Sequence, residues 1–135
     1  MNWTRIAAAV LASGLAVSMT DWLFMGDLFA PIYRAEPQIW RQKSEGFREP
    51  LAITGGVALG FGTCAGLILV CVHLGLYSYE QTLAMAAAIW LIAPLPLVLT
   101  NSFFMKFHPL LAASHAAGWL VKLCIAALAV VWIVG

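Results

Sequence analysis

The sequence predicts an all-α integral membrane four-helix bundle, with a short interfacial segment between the first and second helices. Three observations carry this reading. The composition is 63% hydrophobic and only 10% charged, too few charges to cover the surface of a soluble domain. Four apolar stretches fill most of the 135 residues, each near the roughly 20 residues that cross a bilayer core, so one transmembrane domain accounts for the chain. Most of the charge is gathered in a polar connector between the first two stretches.

The first span runs from about Arg5 to Phe29. It is rich in Ala and other small residues up to Asp21-Trp22 and then turns amphipathic, so its far end is expected to be wet. Arg5 followed by an apolar run has the outline of a signal peptide, but residues 1–17 are read as the first half of a retained helix. The connector, Pro31 to Pro50, holds seven charged residues interleaved with Tyr33, Ile39, Trp40 and Phe47. Glu36-Pro37 suits a helix start, because Pro tolerates the first helical position and an acid favours the N-terminal dipole. One or two turns are expected in the headgroup layer, anchored by Trp40 and Tyr33.

The second span, about Leu51 to Leu76, carries Gly56/Gly60 and Gly62/Gly66, the four-residue spacing that lets helix backbones approach closely. These glycines mark a packing face, within the subunit or at a dimer interface. The third span, about Gln81 to Phe104, contains Pro94 and Pro96, which donate no backbone hydrogen bond and so release the carbonyls of Trp90 and Ile92. A kink is expected there. The fourth span, about Pro109 to Val134, follows a turn of a few residues and forms an antiparallel hairpin with the third.

Lys122 is the most informative residue. It lies about 18 Å below the face that holds both termini, near mid-bilayer, where an unpaired ammonium costs several kcal/mol. By the same count Asp21 lies about 24 Å from that face and His115 about 28 Å, within reach of one another. The carbonyls released in span three come out level with Lys122, so Asp21 or those carbonyls can satisfy it. Asp21, His115 and Lys122 therefore form a candidate ligand or proton site, or a polar joint between helices; Asn101 near the end of span three extends it toward Asp27 and His108.

Other chemistries find no support. Ser114 and His115 are adjacent on a helix and point about 100° apart, so they do not form a nucleophile dyad, and no catalytic set is recognised. No Cys/His metal spacing or phosphate loop is present, and His73 sits too far along the bilayer from His115 to share a haem, so no metal or cofactor is expected. Cys64, Cys71 and Cys124 fall in apolar stretches and read as small buried hydrophobes. Trp3, Trp22, Trp40 and Trp132 read as interfacial residues, Trp90 and Trp119 as buried packing. Without a basic run, nucleic acid is excluded as a partner; the bilayer, a second copy or a larger membrane complex is expected instead.

The segment Asp21-Trp22-Leu23-Phe24-Met25-Gly26, followed by Leu28-Phe29, Tyr33 and Trp40, resembles the aromatic segment of the domain of unknown function 1761 family, short bacterial membrane proteins with four helices. The resemblance covers the first third of the chain, and the remainder in span layout. It implies a bacterial inner-membrane protein and assigns no role to any residue. The expected function is that of a non-enzymatic accessory or small-ligand- or lipid-binding subunit. The alternative is a homodimeric proton-coupled transporter with Asp21 as carrier acid, similar in size and helix number to small multidrug resistance proteins.

Arg34, Arg41, Lys43, Arg48 and Lys106 lie on one face and only Arg5 on the other, so the positive-inside rule places both termini outside the cytoplasm. A cysteine probe appended after Gly135 should be labelled from outside intact cells and one at Lys43 should not. The reverse pattern would invert the topology.

Overall fold

The computed structural model describes residues 2–35, 37, 49–106 and 108–135. Trp40, Arg41, Lys43 and Arg48, and the turn expected from Glu36, lie outside the described residues. Four helical spans cross the fold, Trp3–Leu28, Glu49–His73, Tyr79–Phe104 and Pro109–Val134, each long and apolar enough to traverse a membrane. The protein is therefore an all-α, multi-pass membrane protein, and no strand is found among the described residues.

The first span is α1 (Trp3–Trp22), capped by Asn2, whose side chain accepts from the Arg5 amide. It continues without interruption into a π-helical turn, Leu23–Leu28, and ends at Phe29, whose amide bonds back to the Phe24 carbonyl. A short helix, α2 (Ala30–Ala35), then turns the chain back toward the bundle. Tyr33, expected as a headgroup anchor, is instead 5% exposed and faces inward.

The second span is α3 (Glu49–His73). It closes at Gly75, whose φ of +70° is a left-handed conformation that glycine adopts without steric cost. There the Leu76 amide bonds to the Cys71 carbonyl and the Gly75 amide to that of Val72, a pair of bonds that satisfies the open carbonyls of the helix end. Three residues later Ser78 and Gln81 exchange side-chain and backbone bonds and start α4 (Tyr79–Ile92). The kink expected in span three is a full break: Ala93 leaves helical geometry, and α5 (Pro94–Phe104) begins with proline at its first position, where a missing N–H removes no helical bond. His108 caps α6 (Pro109–Ala129), which runs into a last π-helical turn, Val130–Val134.

α6 is the hub. It packs against α1, α3, α4 and α5, while α3 and α4 touch little beyond their shared turn. The core is built from Ile6, Ala9 and Val17 of α1, Cys64, Leu67, Ile68 and Cys71 of α3, Ala86 of α4, and Leu123, Ala126, Ala127 and Val130 of the last span. Cys64 and Cys71 are buried and Cys124 half-buried, all three as free thiols. Small residues at these positions let the helices approach closely, which is how bundles cohere where lipid removes the hydrophobic drive. At the face with both termini, the Arg5 guanidinium donates to the Val134 carbonyl at 3.4 Å and the Trp132 indole N–H to Tyr79 Oη at 2.6 Å. Trp3, Trp22 and Trp132 are exposed.

Within the subunit the glycine face is used only at Gly60. A Cβ at Gly56, Gly62 or Gly66 would meet nothing within 4 Å inside this chain, and only Gly60 contacts a neighbour, Val17 at 3.4 Å. The tight approach of α1 and α3 is instead at Gly14, where a Cβ would fall into the Phe61 ring. The four-residue spacing marks where backbones could approach; it does not say which face turns inward. Gly14→Leu should therefore lower unfolding stability in detergent by about 1–3 kcal/mol through overpacking, while Gly62→Leu stays within about 0.5. Equal losses in a denaturation series would remove this assignment.

Candidate functional site

One tier beyond the core, α1, α2, α3 and α6 enclose a cleft of about 260 Å³. Its polar centre is an ion pair: Lys122 Nζ lies 2.8 Å from Asp21 Oδ1, with side-chain exposures of 17% and 33%. The roughly 6 Å difference in depth expected along the bilayer is within the length of a lysine side chain. Lys122 also lies 5.1 Å from the centroid of the Trp119 ring, whose negative face attracts the ammonium. Pairing in a low-dielectric site offsets part of the cost of removing both charges from water, provided neither partner is lost.

The second polar group in the cleft is Tyr33–His115. The phenol oxygen and His115 Nε2 share a hydrogen bond of 3.0 Å, with the rings edge-on at 5.9 Å. Tyr33 reaches the cleft because the π-helical turn ends α1 and α2 folds back beneath α6. Outside the spans proper, burial pushes the Tyr33 phenol above its ordinary pKa, against a smaller opposing effect of its hydrogen bond with Ser114. It therefore stays neutral and can both donate and accept.

His115 and Lys122 share this wall, as their seven-residue spacing requires. The same stripe contains Gly118 and Trp119, at offsets of three and four from His115. That spacing is visible in the sequence, and it makes Trp119 a wall of the cleft, half-buried instead of fully packed. Tyr33 leaves no comparable signal, because a reversal of the chain brings it in. Gly56, Gly60 and Thr63 of α3 complete the opposite side, with the Thr63 hydroxyl already donating to the Leu59 carbonyl at 2.9 Å.

Of the two partners expected for Lys122 the structure holds Asp21, and the expectation for Asn101 is corrected. Lys122 takes Asp21 and not the carbonyls of span three, because α4 packs on a different side of α6: Trp90 is half-buried there and donates its indole N–H to the Ala116 carbonyl at 2.8 Å. Ala116 and Lys122 are six residues, hence about 120° of helix rotation, apart. Asn101 sits on α5, beyond the Ala93 break, and does not line the cleft. Of the four candidate residues, Asp21, His115 and Lys122 converge. Gly56 and Gly60 join them as lining, whereas Gly62 and Gly66 do not. Among the described residues, no group of three His, Cys, Asp or Glu side chains could hold a metal ion.

The chain matches no family model, no curated protein and no solved structure.

Lys122→Met should cost about 2–4 kcal/mol of stability, somewhat below the loss for breaking a fully buried pair because Asp21 remains one-third exposed. Adding Asp21→Asn should recover much of that loss, giving a coupling energy in a double-mutant cycle. Strictly additive losses in detergent unfolding would mean that the pair does not hold α1 to α6.

Proposed function

We propose that this protein is a non-enzymatic subunit of the bacterial inner membrane that binds a small lipid-soluble ligand in the cleft between α1, α3 and α6. The observation that carries the reading is one cleft lined by an ion pair, a Tyr–His pair and an indole, with Lys122 at the middle of its span. Helix glue alone would need only the ion pair; here two of the polar wall groups remain reachable from the cleft, since His115 is exposed and Asp21 is one-third exposed. Both termini are placed outside the cytoplasm by the basic residues of the connector and Lys106. The resemblance of residues 21–40 to the domain of unknown function 1761 family, short bacterial membrane proteins, supports the bacterial membrane location.

The runner-up is a homodimeric proton-coupled transporter with Asp21 as the carrier acid. Its support is an acid in the first span that reaches a cleft. Weighing against it, Lys122 at 2.8 Å already occupies that carboxylate as a counter-ion, and a carrier acid must be free to exchange its proton.

The readings separate in two measurements. Gly56→Phe fills the cleft from a position where a Cβ meets nothing, so the fold should survive. Mass spectrometry of extracts from the purified wild type should show a small molecule that is depleted in Gly56→Phe, and reconstituted vesicles should show no proton flux dependent on Asp21. Identical extracts would reject ligand binding, and Asp21-dependent flux would install the transporter.

A further inference from the structure

Resting on the ligand-binding reading above, we infer that the cleft holds a neutral aromatic ring with oxygens at opposite ends, carried on an apolar tail: the headgroup of a lipid quinol or quinone. Four features of the cleft select this class.

The first is charge. Asp21 and Lys122 cancel, so a ligand with a net charge would stand uncompensated in a low-dielectric tier, at a cost of several kcal/mol. The second is the hydrogen-bonding edge of the pair. An ammonium has three N–H groups, and among the described residues Lys122 bonds only to Asp21 Oδ1, leaving a donor; Asp21 Oδ2 takes no bond there and is an acceptor. Donor and acceptor side by side fit a hydroxyl, which gives and receives, or a carbonyl that receives from Lys122 alone.

The third feature is shape. Trp119 and Phe24 contribute aromatic carbon to the lining, and Gly56, Gly60 and Gly118 beside them carry no side chain to fill the cleft, which leaves room for a ring. A volume of about 260 Å³ exceeds the roughly 150 Å³ that accommodates benzene, with the difference available to ring substituents. The fourth is the second polar point. His115, with Tyr33 bonded to it, lies seven residues and so about 10 Å along α6 from Lys122, so a ring with two opposed oxygens can meet a polar partner on each side. Leu59 at the rim is 74% exposed, which gives an apolar tail a path into the bilayer.

The test is a titration of the full chain in nanodiscs with a decyl-substituted benzoquinone, read by quenching of tryptophan fluorescence and compared across variants to remove simple partitioning. Wild type should show saturable quenching. His115→Ala should weaken it about tenfold, as should the double variant Asp21→Leu with Lys122→Met, which strands neither charge and leaves no donor or acceptor at that end. Gly56→Phe should abolish the saturable part. Quenching that is the same in all of these would overturn the inference. If the benzoquinone fails to bind while Gly56→Phe still depletes a co-purified molecule of another class, the ring assignment falls and the ligand-binding reading stands; if neither occurs, both fall.

Discussion

An ammonium placed near the middle of a bilayer constrains everything around it. Lys122 is tolerated on α6 because Asp21 approaches to 2.8 Å and the Trp119 ring lies beneath it. The requirement is mutual, since either charge alone would be stranded. The pair thereby sets how α1 lies along α6: a shift of one helical turn, about 5.4 Å, would carry the carboxylate out of contact. α6 in turn contacts every other span, so this registration is passed to the bundle as a whole.

The small residues of the core make that arrangement attainable. Ala9, Ala86, Ala126 and Ala127 are fully buried, and Gly14 accepts the Phe61 ring where any side chain would clash. Close backbones favour dispersion contacts in a setting where apolar surface gains nothing by leaving lipid. Large apolar side chains such as Leu15, Met19, Leu59 and Phe104 are turned outward, as lipid-facing positions require. Alanine packing closes the tier that holds the core. In the next tier Gly56, Gly60 and Gly118 leave space against the ion pair, and that space is the cleft.

The π-helical turn links this packing to chemistry. Its i to i+5 bonds, as between Phe29 and Phe24, follow directly after Asp21-Trp22 and precede the reversal into α2. Tyr33 thereby arrives at His115, giving the cleft a second polar group. A joint between helices would be served by the ion pair alone; the cleft adds a Tyr–His pair and aromatic lining to it.

Much of this architecture is legible in the sequence itself. Span number, span limits and the convergence of Asp21, His115 and Lys122 follow from hydropathy and from a fixed rise per residue, because depth in a bilayer is a one-dimensional quantity that counting along a helix supplies. The stripe of His115, Gly118, Trp119 and Lys122 is equally accessible, since helical periodicity settles which residues share a face. What periodicity leaves open is which neighbour that face meets. The outward turn of Gly62 and Gly66, the packing of Trp90 on the Ala116 side of α6, the remoteness of Asn101 and the return of Tyr33 are all decided by the tertiary structure. Each depends on the order of helices in the membrane plane and on how the chain reverses between them. In a uniformly apolar solvent every helix face is nearly equivalent, so only the contacts of the assembled bundle distinguish one from another.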